Sequence, residues 1–130
     1  EKRVVTLPSG RQYAFPDARW TKYGTATHRT NICNYPVQGF ATADLLPAAL
    51  VRLDKLFQEN KLRSVICNTV HDSIVLDCHP DEFDICIKMM REAMLSLPEE
   101  TERRYGVTYD MPVEIEIKSG DNWLDLHVVV

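Results

Sequence analysis

The pattern of apolar and polar residues is most informative in the middle of the chain, where it predicts a β-hairpin. The first arm, Ser64–Val70, is rich in β-branched residues, and the second, Ile74–Leu76, is a continuous apolar run. Two such arms joined by a short polar pair are a hairpin signal. The predicted tip carries His71 and Asp72, and two buried strands would hold that carboxylate in a fixed direction. Asp and Ser are also ordinary turn residues, so this stretch alone favours a plain turn.

Strand patterns also occur near both ends of the chain. Arg3–Leu7 and Arg11–Phe15 flank the turn residues Pro8–Gly10 and predict an N-terminal hairpin. Near the C-terminus, Val113–Lys118 alternates strictly between apolar and charged residues. This alternation makes Val113–Lys118 the clearest predicted strand.

Helical spacing of apolar residues predicts two longer helices, one on each side of the central hairpin. The first has a stripe made of Leu46, Leu50, Leu53 and Phe57. The second has a stripe made of Phe83, Ile87, Met90, Met94 and Leu97. Residues three and four apart share one face of a helix, so both stripes are predicted to be core.

Proline and glycine predict where these helices begin and end. Asn34–Gly39 holds Pro and Gly close together and predicts a break before the first helix. Pro47 leaves two alternatives, in which the helix begins near Asp44 as its N-cap or a longer helix kinks at Pro47. Pro98 ends the second helical pattern, and the charged stretch Glu99–Arg104 is predicted to face solvent.

The segment Ala18–Thr30 is mixed and polar. It contains the basic residues Arg19, Lys22, His28 and Arg29 and is interrupted by Gly24. We predict a loop that leads into a short helix, with the basic residues as a solvated face.

The predicted order of elements is two strands, a helix, two strands, a helix and a strand. Hairpin-paired strands with helices packed on one face give an α+β fold with an antiparallel β-sheet. The sequence shows no internal repeat and no linker-like tract, and its 130 residues suffice for one domain with its own core. Residues 1–130 are therefore predicted to be a single domain.

Composition and cysteine usage are typical of a soluble intracellular protein, with 45% hydrophobic and 26% charged residues. No signal peptide is visible, and the chain begins with Glu1 rather than Met, which suggests a piece of a longer protein. The four cysteines show no CxxC spacing and are predicted to be reduced. A turn at Asp72-Ser73 would place Cys67 opposite Cys78, which we interpret as packing, with a disulfide as the lesser alternative.

The formal net charge of −4 argues against a free-standing nucleic-acid-binding protein, which should carry a basic footprint. It permits a domain that presents one acidic site to DNA held by other parts.

Four segments resemble, in order, parts of the C-terminal palm region of family A DNA polymerases, the bacterial DNA polymerase I type, in its phage or prophage branch. Thr6–Pro16 is similar to the family's GR-x-x-x-x-P hairpin, and Asn34–Gly39 is similar to its N-x-P-x-Q-G segment. Val70–Asp72 is similar to the VHD of motif C, and Pro112–Trp123 is similar to the closing PLEVEV…G-x-x-W strand and turn. Each motif alone is weak, but four in this order span nearly the whole chain.

The resemblance implies roles for five residues. Asp72 would be a metal ligand in two-metal nucleotidyl transfer, with Mg²⁺ as the ion, since Mg²⁺ prefers carboxylate oxygens. Gln38 and His71 would contact the minor groove or primer end, where the acceptors sit at nearly the same place in every correct base pair. Asn34 and Arg29 would contact the primer–template backbone. The implied partners are a DNA primer–template and dNTP in the cytoplasm of a bacterial or phage-infected cell.

The resemblance also shows what this sequence lacks. The family's motif A carboxylate and the nucleotide-gripping Lys and Tyr of its fingers helix have no counterpart here. The chain therefore holds half of an active site, and we predict that it is inactive alone and self-associates through exposed apolar surface.

Two departures from the family pattern leave alternatives open. Ser73 stands where the family usually has Glu, and an HDS-like motif C gives weight to a single-subunit RNA polymerase palm. A non-catalytic palm-like scaffold or interaction module is the third interpretation. Between Gly39 and Asp44 the chain has one residue more than the common pattern, so no role is transferred to Asp44.

Overall fold

The computed structural model describes residues 3–109 and 112–130 and has an α+β architecture with antiparallel strands, which confirms the predicted class. Its strands are β1 Val4–Thr6, β2 Gln12–Ala14, β3 Val65–Val70, β4 Ser73–Asp77, β5 Lys118–Ser119 and β6 His127–Val128. Its helices are α1 Arg29–Gly39, α2 Leu46–Glu59, α3 Phe83–Leu95 and α4 Leu97–Tyr105. A π-helical segment, Phe40–Leu45, joins α1 to α2, and a 3₁₀ turn, Pro80–Glu82, precedes α3.

The strands of the described residues pair in three separate two-stranded sheets, β1–β2, β3–β4 and β5–β6. The predicted N-terminal and central hairpins are both present. No helix in residues 3–109 or 112–130 is long and apolar enough to cross a membrane.

The main core lies where α2 and α3 pack against one face of the β3–β4 hairpin. Its buried residues are Leu53, Leu56, Phe57, Cys86, Met89 and Ala93. The hairpin contributes Ile66, Ile74 and Leu76. Ile66 pairs with Leu76 across the ladder, and Ile74 lies two residues from Leu76, so all three point to the same face. The helices thus fix the direction of the hairpin.

The predicted apolar stripe on α3 is displaced by about one residue. Cys86, Met89 and Ala93 are buried, whereas Phe83 is exposed. Three other members of the stripe, Ile87, Met90 and Met94, are half-buried, and Leu97 is buried at the start of α4. The predicted stripe consists of large apolar residues, whereas the small residues Cys86 and Ala93 are the ones buried with the core side chains of α2.

The predicted break at Asn34–Gly39 is wrong, because α1, the π segment and α2 form one uninterrupted helical run. Pro36 lies inside α1 and is buried. A proline inside a helix removes one hydrogen bond and costs about 3 kcal/mol. Pro36 is nevertheless accommodated in a buried position, and the ring centroid of the adjacent Tyr35 lies 6.4 Å from that of Phe15.

Of the two alternatives for Pro47, the longer helix is the correct one. Pro47 lies in the first turn of α2, immediately after the π segment, where a missing N–H is tolerated. Asp44 is not an N-cap, because it lies inside the π segment.

The predicted strand Val113–Lys118 forms only in part, since Lys118 alone belongs to a strand. The side chains do alternate as predicted, with Ile117 buried and Glu114 and Glu116 exposed. Alternation predicts side-chain direction, but a strand also needs a neighbouring backbone to pair with. In the part of the chain that the structure describes, residues 113–116 pair with no other strand. The second helical pattern was expected to run to Pro98, but α3 ends at Leu95 and α4 begins at Leu97, with Pro98 in its first turn. The stretch Glu99–Arg104, predicted to face solvent, is therefore helical, and Thr101 within it is buried.

The predicted pairing of Cys67 with Cys78 is wrong, because the register differs from the expected one. The turn falls at His71-Asp72, so that Val70 pairs with Ser73, and a bulge between Ile66 and Asn68 leaves Cys67 without a partner in the ladder. All four cysteines are free thiols.

Candidate metal and nucleic-acid site

The tip of the β3–β4 hairpin is a tight two-residue turn. His71 has a φ of 55°, in the left-handed region that His tolerates better than most residues. The Ser73 hydroxyl donates a hydrogen bond to the Val70 carbonyl at 2.8 Å and closes the turn. Ser73, which departs from the resembled motif, thus has a local structural role.

The core determines where this tip lies. Ile74, two residues beyond Asp72, packs against both the main core and a second cluster of Leu45, Ala49 and Leu97.

 The cluster of Leu45, Ala49 and Leu97 belongs to the end of the π segment and the starts of α2 and α4. The exposed His71 and Asp72 therefore lie at the end of the hairpin nearest the π segment.

The Asp72 carboxylate is exposed to solvent at the hairpin tip. Among residues 3–109 and 112–130, no three His, Cys, Asp or Glu side chains lie close enough together to hold a metal ion. A single exposed carboxylate suits Mg²⁺, which is commonly bound through one or two carboxylates together with water and substrate phosphates. The described residues therefore supply one exposed carboxylate at the hairpin tip and no assembled group of metal ligands.

The other end of the hairpin is held by Glu82, in the 3₁₀ turn before α3. Its carboxylate accepts hydrogen bonds from the Ser64 hydroxyl at 2.7 Å and from the backbone N–H groups of Arg63 and Ser64 at 3.0 and 2.9 Å. The Ser64 hydroxyl also accepts a hydrogen bond from the His79 backbone N–H. This bond joins the start of β3 to the residues that follow β4, at the end of the hairpin away from the tip. The Ser64 hydroxyl bond, followed by the Arg63 N–H, lowers the pKa of Glu82 from 4.5 to about 2.

We expect the Glu82 contacts to make the hairpin sensitive to acid. Because the pKa of Glu82 is lower in the folded than in the unfolded chain, its contribution is fully present above about pH 4.5 and is lost as pH falls towards 2. Urea unfolding between pH 6 and pH 2.5 should show a falling midpoint, and Glu82→Gln should show a smaller fall. Some fall remains in the variant because the Arg103 and Arg104 contacts lower the pKa of Glu100 to about 2 as well. Equal slopes in the two proteins would contradict this role for Glu82.

The three predicted nucleic-acid contacts on α1 are all exposed. Asn34 and Gln38 lie four residues apart and therefore share one face of the helix. Arg29 is the first residue of α1. The structure thus brings Asn34 and Gln38 together on α1 and His71 and Asp72 together at the hairpin tip.

The N-terminal hairpin packs against the helical run at Gly39 and at the π segment that follows it. Tyr13 of β2 packs directly on Gly39, where a Cβ would overlap the phenolic oxygen. Five residues later, Asp44 accepts hydrogen bonds from Arg11 Nη2 at 2.8 Å and from the Ser9 hydroxyl at 2.6 Å. Burial raises the pKa of Asp44, but the bonds from Arg11 and Ser9 outweigh it, so the net shift is downward. The hairpin thereby contacts the helical run at Gly39, just before the π segment, and at Asp44, near the end of that segment.

Between Gly39 and Asp44 the chain has one residue more than the pattern it resembles, and the π segment lies in the same place. The Leu46 N–H bonds to the carbonyl of Ala41, five residues back instead of the four of an α-helix. A π turn accommodates one more residue than an α turn, so Gly39 and Asp44 stay on the side that faces the hairpin. No role was assigned to Asp44 in the sequence analysis. The extra residue before Asp44 was the one feature of the sequence that set this segment apart.

Comparison with known proteins gives a consistent result. The sequence model that describes DNA polymerase family A matches residues 1–125 of this chain. A DNA polymerase of Bacillus phage SP01 is 39% identical over 71% of this chain and 10% of its own length. DNA polymerase I of Pseudomonas aeruginosa is 31% identical over 98% of this chain and 13% of its own length. DNA polymerase I of Caldicellulosiruptor bescii is 28% identical over 94% of this chain and 13% of its own length. The chain thus spans about a tenth to an eighth of these relatives, and no solved structure matches it significantly.

Proposed function

This chain belongs to DNA polymerase family A, and we propose that it forms the C-terminal part of the palm of a DNA-directed DNA polymerase. The observation that carries this proposal is the hairpin tip, where Asp72 follows Val70 and His71 in the order of motif C. The core packing of Ile74 and the hydrogen bonds of Glu82 hold the hairpin at both ends. A hairpin fixed at both ends suits a residue that must stay in position during catalysis.

The role that we propose for Asp72 is to hold a divalent cation, with Mg²⁺ as the ion. When bound, the ion would supply charge that stabilises the attacking and leaving oxygens of nucleotidyl transfer. Asp72 would present its carboxylate from a turn whose backbone the Ser73 hydroxyl fixes. Further carboxylates must come from outside these 130 residues, since the motif A run is absent from the sequence.

We propose that His71 and Gln38 position the primer–template. Both side chains are exposed, and Gln38 shares a helix face with Asn34. An amide donor directed into the minor groove would read base-pair geometry without reading sequence. Arg29, at the start of α1, would contribute a phosphate contact, which adds affinity rather than specificity.

Two other functions remain as alternatives. A single-subunit RNA polymerase palm is favoured by Ser73, but the Ser73 bond to the Val70 carbonyl supplies a structural reason for that residue in a DNA enzyme as well. A non-catalytic palm-like scaffold is favoured by the acidic net charge of −4. Similarity to enzymes named DNA polymerase supports the DNA enzyme over both.

Primer extension by the longer protein that contains this chain tests the function. We expect template-directed incorporation of deoxynucleotides with Mg²⁺, loss of incorporation with EDTA and recovery with excess Mg²⁺. The 130-residue chain alone should incorporate nothing, because it lacks the second carboxylate motif. Preference for ribonucleotides would favour the RNA polymerase, and no incorporation with either substrate would favour the scaffold.

A further inference from the structure

The charge of this chain is divided unevenly along its length. Residues 1–43 contain six Lys and Arg against two Asp and Glu, whereas residues 44–130 contain nine against seventeen. The first part therefore carries a formal charge of +4 and the second −8, although the whole chain is acidic. Such asymmetry within one chain is typical of a surface that meets a polyanion.

The most exposed aromatic side chains of the described residues lie in the basic part. They belong to residues 19–27, which we name the aromatic loop. Trp20 is 80% exposed and Tyr23 is 79% exposed. Trp and Tyr side chains with this exposure leave the faces of their rings in water, where a binding partner can reach them.

Hydrogen bonds hold the aromatic loop in an ordered hairpin-like shape. Trp20 and Ala26 form an antiparallel bridge, and the Thr21 N–H donates to the Thr25 carbonyl at 2.8 Å. The Thr21 and Thr25 hydroxyls lie 3.0 Å apart and are hydrogen-bonded to each other. Gly24 supplies the positive φ of 74° that the turn requires. The loop thus presents its two aromatic rings outwards from a fixed backbone.

The charged groups of the aromatic loop are both cationic. Lys22 lies with its Nζ 5.1 Å from the centroid of the Tyr23 ring. The Arg19 guanidinium donates to the carbonyls of Pro16 and Ala18 at 2.7 and 2.9 Å, which fixes its charge at the base of the loop. Asp17 is the one acidic residue between residues 3 and 43. Aromatic rings beside cations in a basic surface are the chemistry that binds nucleic-acid single strands.

We propose that the aromatic loop is a binding surface for single-stranded DNA. Unpaired bases stack on Trp20 and Tyr23, and the charges of Lys22 and Arg19 attract the adjacent phosphates. A duplex is a poorer ligand, because its bases already stack on one another and do not expose their faces. The loop has no part in the proposed chemistry at Asp72, so this surface and the proposed function stand or fall separately.

Tryptophan fluorescence of the 130-residue chain tests this proposal. The chain has two Trp residues, so Trp123→Phe leaves Trp20 as the one reporter. Titration with a 15-nucleotide oligo(dT) at low salt should quench Trp20 emission. Measured by anisotropy of a labelled oligo(dT), Trp20→Ala and Tyr23→Ala should each weaken binding about fivefold or more. Lys22→Gln should reduce the dependence of affinity on salt, with a slope lower by about 0.7.

Trp123→Ala is the matched control. Trp123 is 64% exposed, but it lies in the acidic part of the chain between Asp121 and Asp125. Its loss should leave the affinity for oligo(dT) unchanged. Equal affinity of wild type and Trp20→Ala, equal loss in Trp123→Ala, or absence of binding would each overturn the proposal. Asp72→Asn should bind oligo(dT) normally, so a failure of the polymerase function would not be mistaken for a failure of this surface.

Discussion

Replacing Asp72 with Asn is expected to lower nucleotide incorporation by at least about a thousandfold in the longer protein that contains this chain. Asn has nearly the same shape, so the turn at the hairpin tip should persist. The substitution removes the negative charge that we propose holds the cation. A catalytic metal contributes several kcal/mol of transition-state stabilisation, and each 1.4 kcal/mol is a factor of ten in rate. Single-turnover primer extension measures the effect directly.

Asp77→Asn is the matched control for this substitution. Asp77 is also exposed and lies on β4 of the same hairpin, but at the end opposite the tip, where it pairs with Val65. We expect near wild-type incorporation from Asp77→Asn. Primer–template binding, measured by anisotropy, should change little in either variant, since the metal-binding charge serves the chemical step. Full activity of Asp72→Asn would show that Asp72 is not a metal ligand, and equal losses in both variants would indicate a general effect of charge.

Deleting one residue is expected to have opposite consequences at two places in the same helical run. Removal of Val51 from α2 should unfold the chain. It rotates Leu53, Leu56 and Phe57 by about 100° away from the core, since each residue of an α-helix turns by that angle. Full burial of each such side chain is worth about 1.5–3 kcal/mol, and the whole stability of a domain is about 5–15 kcal/mol. Val51 itself is half-exposed, so the loss of its own side chain contributes little.

Removal of Ala41 from the π segment should be tolerated. An α turn then replaces the π turn, and Asp44 follows Gly39 by four residues, so both still face the N-terminal hairpin. Ala41 is exposed, and its deletion should change the free energy of unfolding by no more than about 1 kcal/mol. Urea unfolding followed by circular dichroism compares the two deletions. A loss of stability in the Ala41 deletion as large as that in the Val51 deletion would show that the π turn is itself required.

The central hairpin was predictable because its signals are local. β-Branched arms and a polar pair specify two strands and a turn, and the structure has both. The register was not predictable to the residue, because the bulge at Cys67 depends on how the hairpin packs on α2 and α3. The uninterrupted helix through Pro36 has the same kind of cause, since burial of the Pro36 ring overrides a local preference for a break.

The placement of His71 and Asp72 at one hairpin tip was predictable because the two residues are adjacent in sequence, whereas their roles stay a prediction. The contacts of Asp44 with Ser9 and Arg11 join residues more than thirty positions apart, and no periodicity reveals them. For Val113–Lys118 the alternation of apolar and charged residues correctly predicts which side chains turn inwards. It does not predict whether a second strand lies beside the segment, because pairing depends on residues elsewhere in the chain.

The π segment has a consequence for comparing this chain with its relatives. Where a relative has one residue fewer, the alignment gap belongs inside Phe40–Ala43, so that Gln38 and Asp44 both keep their counterparts. A gap placed elsewhere would shift one of these two positions onto an unrelated residue. Such a relative would then differ from this chain in length, whereas the helical phase of the residues on either side of the gap would be the same in both.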